Sequence, residues 1–157
     1  MPRHPVVGPE WITEAPIRVE QSIDIAAAPA AVWPHIADHE RWPEWFTELD
    51  RIERIGSGEG VRSGRRVTAR RLTIDEEFTA WDENERFAFA VVKSPIPVLA
   101  RLAEEVVLEQ VDHGTRVTYR QGVEGKRFVG GVMALIWKRA PAQVAAALAA
   151  LKTRVEA

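Results

Sequence analysis

The chain has 157 residues, 46% of them hydrophobic and 28% charged, with a formal net charge of −2. That is room for one domain with a real core and not for two ordinary ones, and the charge lacks the basic excess of a nucleic-acid-binding domain. With no cysteine, disulfides, thiolate zinc ligands and a thiol nucleophile are excluded, and a reducing cytoplasmic setting is the expectation.

Residues 1–16 hold Pro2, Pro5, Pro9 and Pro16. Prolines this dense prevent a helix and lack the donors of a central strand. The spacing predicts a loose extension, either disordered or tied down by Trp11 and Ile12, ahead of a single domain over 17–157. The opening Met-Pro-Arg-His-Pro has no apolar h-region and does not read as a secretory signal.

Ile17 to Ile25 alternates, with Ile17, Val19, Gln21, Ile23 and Ile25 on one face, which predicts a half-buried strand. Pro29 suits the first turn of a short helix over Ala30 to Ala37, with Val32, Trp33 and Ile36 inward. Pro34 is expected to be tolerated there within the opening turn. Trp42, Pro43, Trp45 and Phe46 follow in a turn and a second short helix. Leu49 to Ile55 reads as a strand, and Gly56-Ser57-Gly58-Glu59-Gly60 as a flexible loop. That loop joins strands and opens no helix, so it lacks the dipole of a phosphate site.

Gly64 to Leu72 and Ile74 to Trp81 read as adjacent antiparallel strands. The first carries Arg65, Arg66, Arg70 and Arg71; the second carries Asp75, Glu76 and Glu77. Cross-strand charge pairing accounts for that clustering, and a buried ion pair at a ligand is the alternative. Arg86 to Lys93 is a strand with Phe87, Phe89 and Val91 on one face. An apolar loop stiffened by Pro95 and Pro97 leads to a strand over Arg101 to Val111. A turn at Asp112-His113-Gly114 returns the chain along Thr115 to Glu124.

The C-terminal stretch Val129 to Glu156 repeats Val132, Ile136, Ala140, Val144, Ala147, Leu148, Leu151 and Val155 at steps of three and four, the period of one helix face. The predicted helix is roughly 40 Å long, with a kink near Trp137 imposed by Pro141. The longest apolar run, Phe128 to Trp137, stops at Lys138 and Arg139, short of the ~20 residues of a membrane span. The order is strand, two short helices, six strands, long helix. Strand runs followed by a helix predict an α+β fold with an antiparallel sheet.

Three stretches carry a resemblance: Ala-Ala-Pro-Ala-Ala-Val-Trp-Pro-His-Ile-Ala-Asp-His-Glu-Arg-Trp-Pro-Glu-Trp (27–45), Gly-Thr-Arg-Val-Thr-Tyr-Arg (114–120) and the ending Leu-x-x-Leu-Lys-x-x-Val-Glu (148–156). They resemble the polyketide cyclase/dehydrase-like (SRPBCC) proteins of the START/Bet v 1-like superfamily over residues 17–156. The resemblance implies a helix-grip fold, a seven-stranded antiparallel sheet wrapped around the C-terminal helix, with an apolar cavity between them. Such folds host carriers, receptors and cyclases alike, so the fold does not choose a function.

Inward-facing Glu104, Tyr119 and Gln121 fall among apolar neighbours. Buried polar groups must be hydrogen-bonded, so these three form either a structural network or the polar contacts of a mostly apolar ligand site. Burial would raise the pKa of Glu104 and suit it to general acid or base work. Trp45, Phe46, Phe89, Met133 and Trp137 are either core or cavity wall. His35 and His39, four apart, lack a third ligand, so no metal and no cofactor is expected.

The leading expectation is binding of a small hydrophobic or aromatic ligand, polyketide-, lipid- or isoprenoid-like, as carrier or sensor. The ligand set would be Trp45, Phe46, Phe89, Glu104, Tyr119, Gln121, Met133 and Trp137. One alternative is an aromatase/cyclase or dehydratase enzyme with Glu104 and Tyr119 catalytic. Another is a protein-interaction module with a filled core. The expected partner is a small apolar ligand, with no nucleic acid and no integral membrane segment, and a homodimer is compatible.

Overall fold

In the computed structural model, which describes residues 1–157, the first alternating stretch is strand β1 (Ile17–Ile25). Helix α1 (Pro29–Ala37) and a 3-10 helix (His39–Glu44) follow. Pro29 opens α1, where its missing N–H is no loss. Pro34 lies in the second turn rather than the first and removes the hydrogen bond to the Ala30 carbonyl, so α1 stays short.

Six strands come next: β2 (Arg51–Ile55), β3 (Gly64–Ala69), β4 (Leu72–Asp82), β5 (Arg86–Lys93), β6 (Leu99–Val111) and β7 (Gly114–Gly125). All seven form one antiparallel sheet in the order β1-β7-β6-β5-β4-β3-β2. β1 pairs with β7 over its full length, with Val19 opposite Gln121 and Gln21 opposite Tyr119. Further in, Glu104 stands opposite both Phe89 and Gln121, and Arg65 stands opposite Glu76. Side chains alternate across a strand, so these register partners share the concave face.

The C-terminal segment over Gly130–Glu156 is gripped by that face, but it is not one continuous helix. α2 (Gly130–Ile136) ends in a 3-10 turn (Trp137–Arg139), and α3 (Ala140–Glu156) restarts with Pro141 in its first turn. At 1.5 Å per residue α3 is about 25 Å long, against the roughly 40 Å expected of an unbroken helix. The break has a second consequence. α3 keeps the predicted stripe, burying Ala140, Val144, Ala147, Leu148 and Leu151. The stripe does not continue onto α2, where Met133 is buried while Val132 and Ile136 are exposed.

The main core gathers α1, the 3-10 segment, α3 and the sheet around Trp42, Phe87, Phe89, Val106 and Tyr119. A smaller cluster of Val91, Leu99, Leu102, Val123 and Met133 closes the end under α2. The N-terminal segment is ordered. A 3-10 helix (Pro9–Glu14) buries Pro9 and Ile12, and Ala15 is buried beside it. Gly122 on β7 is what lets this segment approach, since a Cβ there would lie 2.9 Å from the Ile12 Cα and from the Ala15 Cβ. Upstream, Arg3 bridges to Lys93, and the His4 N–H donates to the Val92 carbonyl. No helix is long and apolar enough to cross a membrane.

Candidate functional site

The sheet places three predicted polar residues together. The Tyr119 hydroxyl donates to Glu104 Oε1 at 2.9 Å, and Gln121 Nε2 donates to the same oxygen at 2.6 Å. From the helical layer, Trp137 Nε1 donates to Gln121 Oε1 at 3.0 Å. One hydrogen-bonded chain thus runs from the helix break down to the centre of the sheet. Both donors reach one carboxylate oxygen, which leaves Oε2 of Glu104 to carry a proton. Burial, with the nearby Glu76 carboxylate adding to it, raises the Glu104 pKa from 4.5 to about 7. Tyr119 is pushed well above its ordinary value by burial and by the Glu104 charge.

A second buried pair adjoins this chain. Arg65 Nε donates to Glu76 Oε2 at 2.5 Å, and the two side chains are only 2% and 3% exposed. The guanidinium lies 4.3 Å from the Trp42 ring centroid and 4.4 Å from that of Phe89, close enough for cation–π attraction. Its Nη1 has no partner. Burial pushes Glu76 upward while the Arg65 guanidinium pulls it back. The neighbouring pair Arg66–Asp75, bidentate at 2.7 and 2.9 Å, is the cross-strand pairing expected of sheet charges and lies on the other face, with Arg66 exposed and Asp75 covered by it. The charge cluster therefore divides between the faces. Arg65 and Val67 share one parity on β3 and face inward, and Arg66 faces outward. That parity is the signal by which the Arg65–Glu76 pair is readable from sequence.

The aromatic residues are assembled less openly than a cavity requires. Trp42, Trp45, Phe46, Phe87, Phe89 and Tyr119 pack ring against ring, with centroid separations of 5.0 to 6.2 Å. The 3-10 segment feeds Trp42, Trp45 and Phe46 into the grip, and the Trp42 Nε1 is anchored on the Ile36 carbonyl at 3.0 Å. These rings fill the space where a single apolar hollow beneath the helix was expected. Larger open clefts, of about 500 and 360 Å³, lie around Ala28 and Glu83 and around Asp24 and His113, with mixed polar walls; the free volume next to the Glu104 chain lies at the helix break. A pocket of about 120 Å³ is lined by Phe46, Gln121, Ile136, Trp137, Ala140, Gln143 and Val144. A wider one of about 280 Å³ lies beside it, between the break, the β3–β4 turn and Ile96, and shares Ile136, Trp137 and Gln143 with it.

Of the predicted ligand set, Phe46, Gln121 and Trp137 line this mouth. Glu104 and Tyr119 stand behind Gln121 and line neither pocket. Phe89 is fully buried against Arg65 and Trp42. Trp45 borders a different surface dent, with Arg41 and Arg154. Met133 packs in the smaller cluster, away from the Glu104 chain. Ile136 and Gln143 line the mouth, and Arg65, Glu76 and Trp42 adjoin the Glu104 chain behind it; none of the five was in the predicted set.

His39 is fully buried. Its Nε2 sits 2.8 Å from the Gly58 carbonyl and donates to it, while Phe78, Trp81 and Phe87 surround the ring. Burial, followed by the Arg65 charge, lowers its pKa to about 4, so the ring is neutral. Gly58, at φ +71°, sits in the glycine loop that turns its carbonyl toward this histidine.

A protein-family profile described as "Polyketide cyclase / dehydrase and lipid transport" matches residues 16–156. An uncharacterised protein of Mycobacterium tuberculosis is 27% identical over 119 residues, which cover 72% of this chain and 69% of that protein. Two solved structures share the fold. An aromatase/cyclase, ZhuI from Streptomyces sp. R1128, superposes with a TM-score of 0.73 at 16% identity, covering 89% of this chain and 93% of its own. A START superfamily protein from Mycobacterium smegmatis gives 0.69 at 18%, covering 88% and 97%.

Proposed function

The chain belongs to the polyketide cyclase/dehydrase and lipid transport family, and from that premise we propose that it binds a small hydrophobic or aromatic ligand at the helix break, as a carrier or sensor. The observation that carries this reading is the mouth itself: two adjoining pockets walled by Phe46, Ile136, Ala140, Val144 and Trp137, with Gln121 at the inner end and Gln143, Glu48 and Arg70 at the rim as polar groups. A mostly apolar wall with a few convergent polar atoms is the usual makeup of such a site. At about 120 and 280 Å³ each falls below the roughly 300–1,000 Å³ common for ligand pockets, and only the two joined reach its small end. The ligand is therefore a compact ring system or the end of a longer chain, with an oxygen or nitrogen directed at the Gln121 amide.

The enzyme reading is carried by one observation, the buried Glu104 that accepts from Tyr119 and whose pKa is raised to about 7. It is the weaker reading, because Gln121 stands between that pair and the pocket. The filled-core interaction reading draws on the ring packing, but it assigns no role to a buried polar chain that ends at the mouth.

The test is a fluorescence titration with N-phenyl-1-naphthylamine, a neutral aromatic probe, together with native mass spectrometry of protein purified from its own host. Ala140→Leu places new carbons in the smaller pocket and is expected to weaken the probe about tenfold, or ~1.4 kcal/mol. No saturable binding by the natural chain, or the same affinity in Ala140→Leu, overturns the assignment.

A further inference from the structure

The helix break also produces a surface feature that ligand binding does not require. Phe128 is 92% exposed, Leu135 70%, Ile136 52% and Val132 49%. Phe128 also holds a backbone φ of +71°, which is uncommon for a bulky residue and needs a reason outside local preference. Across the wider pocket, Leu72 at the β3–β4 turn is 45% exposed. Cations bracket this apolar ground. Lys126 and Arg127 precede it, and Lys138 and Arg139 follow it. None of the four makes an ion pair, although most arginines elsewhere on the surface do. Arg71 on the adjoining turn is unpaired as well. No acidic residue occurs between Glu124 and Glu156, in a chain whose net charge is −2.

We propose that this end of the molecule docks on an anionic lipid surface, with α2 lying in the interface and Lys126, Arg127, Lys138 and Arg139 at the headgroups. Exposed large apolar side chains on a short apolar helix with Lys and Arg at both ends combine the two terms, apolar burial and attraction to anionic headgroups, that hold a segment at a membrane boundary. The charges choose the occupant. A second copy of the chain in a two-fold contact would set these cations against themselves, whereas an anionic bilayer supplies the missing partners along its whole plane. Docking in this pose puts Ile136 and Trp137, and so the pocket mouth, at the lipid boundary. The docking stands whether or not the pocket carries a ligand.

Flotation of the full chain with vesicles tests it, using phosphatidylcholine alone and phosphatidylcholine with added phosphatidylglycerol, at low and high salt. Two double variants accompany the natural chain: Phe128→Ser with Leu135→Ser, and Lys138→Gln with Arg139→Gln. All four positions are surface sites, and circular dichroism checks that the fold is kept. The expected result is binding to the anionic vesicles only, reversed by salt. Each basic residue at a lipid surface changes partitioning roughly fivefold, so the charge variant should float roughly 25-fold less well. The apolar variant should lose stable insertion. Three results overturn the proposal: equal affinity for both vesicle types, no affinity for either, or light scattering in which the patch joins two copies or an acidic protein while vesicles are ignored.

Discussion

Glu104→Gln is the most informative single change, because the buried carboxyl makes a quantitative demand on stability. In the unfolded chain Glu104 titrates near 4.5, and in the fold near 7. Between those values the native state holds the proton that the unfolded state has released. Stability therefore falls as pH rises from about 4.5 to 7 and stays low above it. Each pH unit of displacement corresponds to about 1.4 kcal/mol, so the full effect is about 3 kcal/mol. Glutamine mimics the protonated acid, and its Oε1 can accept from both Tyr119 and Gln121, so the variant escapes the penalty. It should be about 3 kcal/mol more stable than the natural chain at pH 8 and nearly equal to it at pH 4.5. Urea denaturation across that range measures the difference. The subtraction matters because His39 acts in the opposite sense. Its pKa falls from 6.5 to about 4 in the fold, so it adds stability as pH rises over that window and partly masks Glu104 in the natural chain. A difference that does not change with pH, or a natural chain more stable than the variant at pH 8, would refute the reasoning.

Two further outcomes follow from the same interior. Arg65→Leu strands the Glu76 carboxylate against Glu104 and should cost roughly 3–5 kcal/mol, while Arg65→Leu combined with Glu76→Leu should recover most of that loss; guanidinium melts of both variants check the pair. Gly122→Ala puts a Cβ 2.9 Å from the Ile12 backbone and should cost roughly 1–3 kcal/mol by overpacking. Its visible sign is faster proteolysis before Ile17, with the sheet core still protected.

Most of the sheet was legible because its information is periodic. Ile17–Ile25 alternates cleanly and is β1 to the residue, and parity alone put Phe87 with Phe89 and Glu104 with Val106. The fold followed from the element order and from the resemblance over residues 17–156. What parity could not give is how far the space between sheet and helix is filled. That depends on where the aperiodic stretch His39–Phe46 drops its rings, a tertiary outcome with no local signal. The small Ala140 and Ala147 side chains do leave room, but Trp42 and Phe46 take much of it. Reading α2 as a continuation of α3 failed for a similar reason. Pro141 marks the break, yet the new direction of α2 is set by Met133 finding Leu99, Leu102 and Val123. Arg65 was within reach, since it shares a parity with Val67, but charges of both signs on facing strands read first as surface pairing.

The buried charges decide what the interior can do. One guanidinium faces two carboxyls, and the only one it touches is Glu76. A closed interior tolerates little net charge, so with Arg65 already paired to Glu76, Glu104 is held toward its protonated form and gives up the proton only near pH 7. Its neutral state then comes from the charge count as well as from burial. Below about pH 7 a protonated Glu104 sends no negative field through Gln121, and the charges lining the wider pocket, Glu48 and Arg70, pair with each other, so the mouth suits a neutral ligand there. An incoming cation would draw the proton off Glu104, and its affinity should climb as pH passes through about 7. An incoming neutral aromatic should bind with no such dependence. For turnover, the proton would have to pass from Glu104 to a substrate that Gln121 holds at a distance, which requires Gln121 to swing aside and release Trp137 Nε1. An aromatase-type reading therefore implies that Trp137 moves on binding, and a carrier that binds at the mouth leaves the Trp137–Gln121 hydrogen bond in place.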